Sequence, residues 1–314
     1  MRRDPGDGVL IVAGEALFDL VRSGSSDDLR GHPGGGPFNT ARTIGRLGQP
    51  VAYLGRLSTD GFGQRLERLL AGDGVALDSV VRTHDPTTLA LVEVGVAGVA
   101  AYRFYARGTA AAGLTVDAAL AALPAAVDVV HVGTLGLVLE PVAAALEAVV
   151  ARVAGGALVA VDANVRPWAI EDPVAYRARL RRVLSDSHLI KVSEEDVGWL
   201  DPGVPPVQSV RGLLEHGPTV GLLTRGPGGA VVVTPDAEVA VPAPRVKVVD
   251  TIGAGDAFGG GFLAWWRERG LGREDLGQLE LAVEATAFAC LVAARTCARP
   301  GAAPPHRSEL EYVI

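Results

Sequence analysis

Residues 250–256 combine side-chain types and spacing that suit the handling of a phosphate group. They read Asp-Thr-Ile-Gly-Ala-Gly-Asp and lead into an amphipathic run, Ala257 to Arg269, that predicts a helix. Because the first N–H groups of a helix are unpaired and the helix dipole is positive there, such a turn attracts anions. Gly253 and Gly255 let a phosphate approach the backbone closely. The stretch therefore predicts an anion hole formed by the amides of residues 253–256.

Asp256, at the end of this stretch, is open to two interpretations. Its negative charge should repel a phosphate, so its presence makes sense if it accepts a proton from a hydroxyl group that attacks phosphorus. Alternatively, Asp256 is only the N-cap of the helix, which is a common role for Asp. The local residues do not decide between these two roles. The apolar run Val246–Val249 predicts a strand that leads into the turn.

Two segments nearer the N-terminus have residues that could bind a polyol. Residues 33–39 read Pro-Gly-Gly-Gly-Pro-Phe-Asn, and Asn39 offers both a hydrogen-bond donor and an acceptor to vicinal hydroxyl groups. Asp19 follows the first predicted strand, and ligands of open α/β sheets collect at the carboxyl ends of strands. The plainer interpretations are a residue at the start of a helix for Asn39 and a solvated loop carboxylate for Asp19.

Composition and charge exclude several classes of site. The chain of 314 residues has a formal net charge of −7, which argues against a general nucleic-acid binder. Its only two lysines are Lys191 and Lys247, and no Gly-x-x-x-x-Gly-Lys-Ser/Thr is present, so a Walker-type phosphate loop is excluded. Cys290 and Cys297 are expected to be free thiols, with no metal-binding pattern around them. Apolar runs are all shorter than a membrane span, and we expect a cytoplasmic protein.

Short apolar runs alternate with helix-like segments through most of the chain. This rhythm predicts an α/β architecture in which a mostly parallel central sheet is covered by helices on both faces. Half-polar stretches near 14–34 and 88–108 break the rhythm and predict a small second β-sheet that could serve as a lid. We expect a single domain over residues 8–314, preceded by a tail at 1–7. The predicted strands are Val9–Ala13, Val51–Gly55, Val127–Val132, Leu158–Asp162, Leu189–Val192 and Val220–Thr224, and the predicted helices include Phe38–Leu47, Gly61–Leu70, Pro141–Val153 and Val174–Leu184.

Residues 250–258, Asp-Thr-Ile-Gly-Ala-Gly-Asp-Ala-Phe, resemble the C-terminal signature of the ribokinase-like (PfkB) carbohydrate kinases. Residues 33–41 resemble the N-terminal signature of the same family, a Gly-Gly pair followed by Asn at the head of a helix. The resemblance covers nearly the whole chain and implies a ribokinase-like three-layer α/β/α sandwich. It also implies that Asp256 is the catalytic base and that the amides of residues 253–255 form the anion hole.

Further motifs resemble the fructokinase branch of that family. They are Gly-Glu-x-x-x-Asp at 14–19, Pro-Gly-Gly-x-Pro-x-Asn at 33–39, Asp-Ala-Asn-Val-Arg-Pro at 162–167 and His-Val-Gly-Thr at 131–134. Arg103, Tyr105 and Arg107 alternate, so they could share one face of a lid strand and close over the sugar, although a solvated strand face would show the same alternation. The residues that the resemblance implies in sugar binding are Asp19, Gly34, Gly35, Asn39, Tyr105, Arg107 and Arg166.

The resemblance also implies the nucleotide and metal sites. Ser-Glu-Glu-Asp at 193–196 stands where the family has Asn-x-x-Glu, and the shorter Asp196 favours a magnesium contact through water over a direct one. Thr-Arg-Gly-Pro-Gly-Gly at 224–229 resembles the nucleotide-binding turn of the family, and a plain β-turn is the alternative. Asp250 is the candidate ligand of a monovalent cation such as K⁺. The residues implied in ATP binding are Asn164, Ser193, Asp196, Thr224, Gly226, Gly229 and Thr251.

Together these residues predict an ATP-dependent sugar kinase that uses ATP and Mg²⁺, with fructose as the expected substrate. Two alternatives stay open. One is a kinase for 2-keto-3-deoxygluconate, whose carboxylate would favour arginine and tyrosine at the lid but would be repelled by Asp19. The other is a non-catalytic sugar sensor built on a kinase fold, against which the intact turn at 253–256 argues. The open edges of the lid strands favour a homodimer.

Overall fold

Strands and helices alternate along the part of the chain that the computed structural model describes, residues 8–22, 28–94 and 100–310. The predicted tail at 1–7 lies outside these residues. The strands in chain order are β1 (Val9–Ala13), β2 (Leu17–Arg22), β3 (Leu29–Gly34), β4 (Val51–Ser58), β5 (Val75–Ala76), β6 (Val80–Thr83), β7 (Leu89–Val94), β8 (Ala100–Tyr105), β9 (Val127–Gly133), β10 (Leu158–Asp162), β11 (Leu189–Ser193), β12 (Val220–Thr224), β13 (Ala230–Val233) and β14 (Glu238–Val241). The helices are α1 (Gly36–Arg46), α2 (Gly61–Gly72), α3 (Val116–Ala122), α4 (Val142–Val153), α5 (Pro173–Ser185), α6 (Glu194–Leu200), α7 (Pro206–Leu214), α8 (Ala254–Glu268) and α9 (Leu279–Cys297).

Ten strands form the large sheet, in the order β14-β13-β12-β11-β10-β9-β1-β4-β5, with β6 also paired to β4. The pairs from β12 through β5 and β6 are parallel, whereas β12, β13 and β14 pair antiparallel. The predicted mostly parallel sheet is therefore confirmed, and it carries an antiparallel edge. Its parallel order brings the carboxyl ends of β1, β10, β11 and β12 to one edge, where the chain places its polar motifs.

Two hydrophobic cores lie on opposite faces of this sheet. Because side chains alternate along a strand, Leu10 and Val12 of β1 pack into one core, and Ile11 and Ala13 pack into the other. Residues of α1, α2, α8 and α9 complete the first core. Residues of α3 to α7 complete the second core. The three-layer arrangement follows from strands that are apolar on both faces and must be covered on both sides.

The small second sheet that the half-polar stretches predict is present, with the strand order β3-β2-β7-β8. Strand β2 pairs antiparallel with β3 and parallel with β7, and β7 pairs antiparallel with β8. The register aligns Asp19 with Ala90 and Ala90 with Phe104, so these three side chains share one face of the sheet. We call this sheet the lid, and its closure over a ligand stays a prediction.

The predicted strand Val246–Val249 is wrong. Strand β14 ends at Val241, and residues 242–253 contain no strand. Val248 and Val249 are 57% and 55% exposed, and the amides of Val249 and Asp250 donate to the carbonyl oxygen of Cys297. An apolar run predicts a strand because burial normally accompanies it, and these valines lie on the surface.

The remaining predictions about elements concern the C-terminal half of the chain, its cysteines and membrane spans. The hairpin β13–β14 was not predicted, and α8 begins three residues before its predicted start. Cys290 and Cys297 both lie in α9 as free thiols, as expected. Within the described ranges, every helix is too short or too polar to cross a membrane.

A cap joins α2 to the lid. The Asp60 carboxylate accepts hydrogen bonds from the amide of Gly63 at 2.8 Å and from the amide and hydroxyl of Thr87 at 2.8 and 2.7 Å.

Substituting Asp60→Ala should lower the free energy of unfolding by about 2 kcal/mol, because it removes the N-cap and leaves the buried amide of Thr87 unpaired. Urea denaturation measures this loss. Asp78→Ala, at an exposed carboxylate, is the matched control and should change stability by less than about 0.5 kcal/mol. Equal losses in the two variants would contradict the capping role.

Candidate active site

Asp256 lies in the first turn of α8, where its side chain is 9% exposed and accepts a hydrogen bond from Asn39 Nδ2 at 2.9 Å. Gly253 occupies the N-cap position, so the interpretation of Asp256 as the cap of this helix is wrong. Burial raises the pKa of Asp256, while the hydrogen bond from Asn39 and the charges of Lys191 and Arg166 oppose that rise. Asp256 is thus a buried carboxylate held by the side-chain amide of Asn39, and its role as a base stays a prediction.

The glycines of the turn meet a steric requirement. Gly253 has a φ of 74°, in the left-handed region, and a Cβ built on it would lie 2.6 Å from the Cβ of Ala302. The amide of Ala254 donates to the carbonyl of Thr251 at 3.2 Å. Within the described residues, the amides of Gly255 and Asp256 donate to no backbone carbonyl. Among the amides of residues 253–256 that form the predicted anion hole, only that of Ala254 therefore has a backbone partner in the part of the chain that the structure describes.

Asn39 lies in the first turn of α1, after a turn built on Gly34 and Gly35. Its side chain is buried, Nδ2 donates to Asp256, and Oδ1 has no hydrogen-bond partner within the described residues. A buried acceptor without a partner is costly, and a ligand hydroxyl would relieve that cost. Gly36 lets the two motifs approach, because a Cβ there would lie 3.3 Å from Asp256 Oδ1.

Asp19 belongs to strand β2 of the lid, inside the half-polar stretch 14–34 that predicted it, so its interpretation as a solvated loop carboxylate is wrong. It lies against Gly34, where an added Cβ would be 2.4 Å from Asp19 Oδ2. Burial raises the pKa of Asp19 to about 6, with Arg166 lowering it and Asp256 raising it. A charge shifts the pKa of another group in this way only when the two groups are close together. The structure therefore brings Asp19, Arg166 and Asp256 into one region.

Glu15 is a residue of this site that the sequence reasoning left without a role. It is 2% exposed and accepts hydrogen bonds from the Thr134 hydroxyl, from the amide of Gly36 at 3.2 Å and from the amide of Gly136 at 3.0 Å. It thus ties the end of β1 to the start of α1 and to the turn after β9. The available signal was its place in the Gly-Glu-x-x-x-Asp motif, but its hydrogen bonds depend on two distant segments.

The predicted nucleotide residues of β10 and β11 surround a cavity of about 140 Å³. Asp196 does not point its oxygens freely into this cavity, because Oδ1 accepts from the amide of Val165 and Oδ2 from the amide of Ser193, both at 2.7 Å. Ser193 in turn caps α6 through the amide of Asp196. The cavity is lined by Asn164, Val165, Arg166, Pro167, Ser193, Glu195, Asp196 and Trp199.

The turn at 224–229 lies beside this cavity because Thr224 of β12 pairs with Ser193 of β11. Gly226 and Gly229 have φ values of 52° and 86°, which suit a tight turn with glycine at both positions. Asp250 accepts hydrogen bonds from the amide of Ile252 at 3.0 Å and from the amide of Gly301 at 2.8 Å. Its role as a ligand of a monovalent cation stays a prediction.

The lid residues divide between two faces. Phe104 lies on the face of Asp19 and stacks on Trp168, with ring centroids 4.6 Å apart. Arg103 and Tyr105 lie on the opposite face, and Tyr105 is 58% exposed. Arg107 follows the end of β8 and is exposed. The structure therefore brings Phe104, and not Arg103 or Tyr105, to the face of Asp19, and the role of Arg107 in sugar binding stays a prediction.

Glu15 should make stability depend on pH. Burial raises its pKa from 4.5 to about 7, so its contribution to stability is fully present below pH 4.5 and is lost as the pH rises through 7. Glu15→Gln removes this dependence. Relative to the wild type, the variant should therefore gain up to roughly 3 kcal/mol of unfolding free energy between pH 4.5 and pH 8. Urea denaturation at the two pH values measures the change, with exposed Glu171→Gln as the control. An equal difference from the wild type at both pH values would contradict this role.

Comparison with known proteins agrees with this geometry. Residues 10–308 match the model of the pfkB family carbohydrate kinases. A fructokinase of Rhizobium leguminosarum bv. trifolii is 35% identical over 259 residues, which cover 82% of this chain and 79% of that protein. The structure of fructokinase with bound ATP from Xylella fastidiosa superposes with a TM-score of 0.87 at 28% identity, covering 97% of both chains. That of Vibrio cholerae O395 fructokinase with fructose, ADP and calcium superposes with a TM-score of 0.85 at 25% identity, covering 97% of this chain and 98% of that one. The chain belongs to the pfkB family of carbohydrate kinases.

Proposed function

We propose that this chain transfers the γ-phosphoryl group of ATP to a hydroxyl group of fructose. The observation that carries the proposal is the hydrogen bond from Asn39 Nδ2 to Asp256 Oδ2 at 2.9 Å. It joins the segment that resembles a sugar site to the turn that resembles a phosphate site. A carboxylate held beside a polyol-binding amide, with free amides of a helix start next to it, is the arrangement that phosphoryl transfer to a hydroxyl needs.

The chemistry assigns one role to each group. Asp256 accepts the proton of the attacking hydroxyl, whose oxygen forms a new bond to the γ-phosphorus while the bond from that phosphorus to the bridging oxygen of ADP breaks. The free amides of Gly255 and Asp256 stabilise the charge on the transferring group, and such a donor contributes about 3 kcal/mol in comparable sites. Arg166, close to Asp19 and Asp256, orients oxygens of the substrate or the phosphate.

Fructose is favoured over an acid sugar by two observations. The relatives named above are fructokinases, and one of their structures contains fructose and ADP. A substrate carboxylate would favour arginine and tyrosine of the lid near Asp19, but Arg103 and Tyr105 lie on the other face of the lid. The carboxylate of Asp19 remains, and it can accept hydrogen bonds from two sugar hydroxyls. Asp19, Gly34, Gly35 and Asn39 are the proposed sugar site.

Magnesium is proposed as a companion of ATP and not as a ligand of a preformed protein cage. Within the described residues, no group of three or more His, Cys, Asp or Glu side chains could hold a metal ion. Both oxygens of Asp196 accept amide hydrogen bonds, so this carboxylate would reach the ion through water. Phosphate oxygens and water are the ligands that Mg²⁺ keeps in such sites. A potassium ion at Asp250 is the further cation that we propose.

Two statements about the whole chain belong with this proposal. Residues 8–314 are proposed to form a single kinase domain, because both cores of the sheet draw on its N-terminal and C-terminal halves. A homodimer is proposed to form through the lid, whose edge strands β3 and β8 pair with no further strand on their outer sides among residues 8–22, 28–94 and 100–310.

The function is tested by measuring ADP release from ATP with a panel of sugars. We expect the highest kcat/KM with fructose. A higher value with 2-keto-3-deoxygluconate would replace the substrate but keep the kinase. Sugar-dependent thermal stabilisation without ADP release from any sugar would instead support a sensor.

Asp256→Asn tests the role of the base within the same assay. Because Asn still accepts the hydrogen bond from Asn39 but cannot accept a proton at neutral pH, kcat should fall by about 10²–10⁴-fold. The rise in Tm caused by the sugar should persist. Asp117→Asn, the same change in the first turn of α3, is the control and should leave kcat unchanged. Near-normal turnover of Asp256→Asn would remove the general base from the mechanism.

A further inference from the structure

One of the only two lysines of the chain lies directly behind the predicted anion hole. Lys191 is the third residue of β11 and is 6% exposed. Its Nζ donates to both oxygens of Asp162, at 2.8 and 3.1 Å, because Asp162 is its register partner on β10. The two hydrogen bonds fix the ammonium group in place.

The same ammonium group lies against the first turn of α8. A Cβ built on Gly255 would be only 3.0 Å from Lys191 Nζ, so the absence of a side chain at 255 is what admits the charge. The start of a helix carries a partial positive charge, and a second positive charge there is unfavourable unless an anion is close. Asp162 neutralises Lys191 from one side, and the phosphate-binding turn lies on the other side.

A purely structural explanation of this pair is weak. Burying an ion pair costs desolvation energy, and apolar residues of similar size are often as stable or more stable in its place. The pair lies at the carboxyl edge of a sheet whose strands are otherwise apolar in their interiors. Stability alone therefore does not explain why this ion pair lies next to the turn at 253–256.

We propose that Lys191 is a positioning residue whose ammonium group supplies a fixed positive charge behind the amides of 255 and 256, favouring an ionised Asp256 and an anionic γ-phosphoryl group. The inference rests on the proposed function and adds to it a charge that the sequence did not place. A Walker-type loop is absent from this chain, and Lys191 of β11 places a lysine charge next to the turn at 255 instead.

The other charges around Asp256 come from several elements. Burial raises the pKa of Asp256, and Lys191 opposes that rise together with Arg166 and the hydrogen bond from Asn39. Among the described residues, α9, which also packs on α8, adds no charge that shifts the pKa of Asp256. The groups that face this region are Lys191 of β11, Asp162 of β10, Arg166 after β10, Asp19 of β2, the uncharged Asn39 of α1, Asp196 of α6, and His131 of β9, whose pKa burial and Lys191 lower to about 3.

The test compares the pH profiles of kcat/KM for the sugar at saturating ATP. Lys191→Met removes the charge, so Asp256 should need a higher pH to ionise, and the acid limb should move up by about one pH unit. Lys191→Arg keeps the charge and should return the limb toward the wild-type position. The double variant Lys191→Met with Asp162→Asn leaves no unpaired carboxylate at 162, so it should fold. Because it removes a negative charge together with the positive one, its acid limb should lie between those of the wild type and Lys191→Met.

A matched control separates charge from stability. Arg267 and Asp128 form an ion pair with an N–O distance of 2.6 Å at the far end of α8, about 16 Å along the helix from Asp256. Arg267→Met with Asp128→Asn should lower Tm but leave the acid limb in place. If both Lys191 variants without the charge kept the wild-type limb, or if the control moved it equally, the proposal would be wrong.

A second measurement does not depend on turnover. ATP binding without sugar, followed by calorimetry, should weaken by about tenfold in Lys191→Met and stay unchanged in the Arg267→Met, Asp128→Asn control. Unchanged ATP affinity in Lys191→Met would overturn the role of the charge at the anion hole. If no sugar supported turnover in the wild type, the proposed function would fail, and the ATP affinities would still decide the role of Lys191.

Discussion

The proposed function depends on a buried carboxylate, that of Asp256, staying able to act as a base. Asp256 is almost fully buried, and burial alone favours its protonated form. The hydrogen bond from Asn39 and the positive charges of Arg166 and Lys191 oppose that tendency. These three groups come from α1, from the segment after β10 and from β11. Three separate elements must therefore hold their places to oppose the rise that burial causes in the pKa of Asp256.

The parallel sheet supplies those places. Its strand order puts β10 and β11 side by side, so that Asp162 and Lys191 meet in register and the residues that follow them line one cavity. The antiparallel hairpin β13–β14 forms the edge of the sheet next to β12. Burial of both sheet faces makes the positions rigid, because two cores must repack if a strand moves.

The lid positions the side chains on its side of the proposed sugar site by a different rule. In a strand, consecutive residues point to opposite faces, so Phe104 and Tyr105 cannot both face Asp19. The register of β2, β7 and β8 selects Phe104, and Ala90 between them is buried in a small apolar cluster with Leu17 and Leu135. An alternating polar pattern shows that two faces differ, but only the pairing of strands shows which face turns toward the site.

The amino-acid sequence by itself determined the elements and the chemistry of the signature turns. The strands Val9–Ala13, Leu158–Asp162 and Val220–Thr224 have the predicted bounds, because a short apolar run between polar or glycine-rich turns has few other stable conformations. The sequence also indicated why glycines stand near 34 and 253, since their effect is on the local backbone conformation.

Only the tertiary structure decided the features that depend on distant partners. The strand predicted at Val246–Val249 is absent, because the amides there bond to Cys297 and the valines stay exposed. Glu15 and Lys191 could not be assigned from the sequence, because the burial that perturbs them comes from segments more than 20 residues away. A local pattern determines which backbone conformation a segment prefers, whereas burial and charge depend on which segments pack together, and only the folded chain shows that.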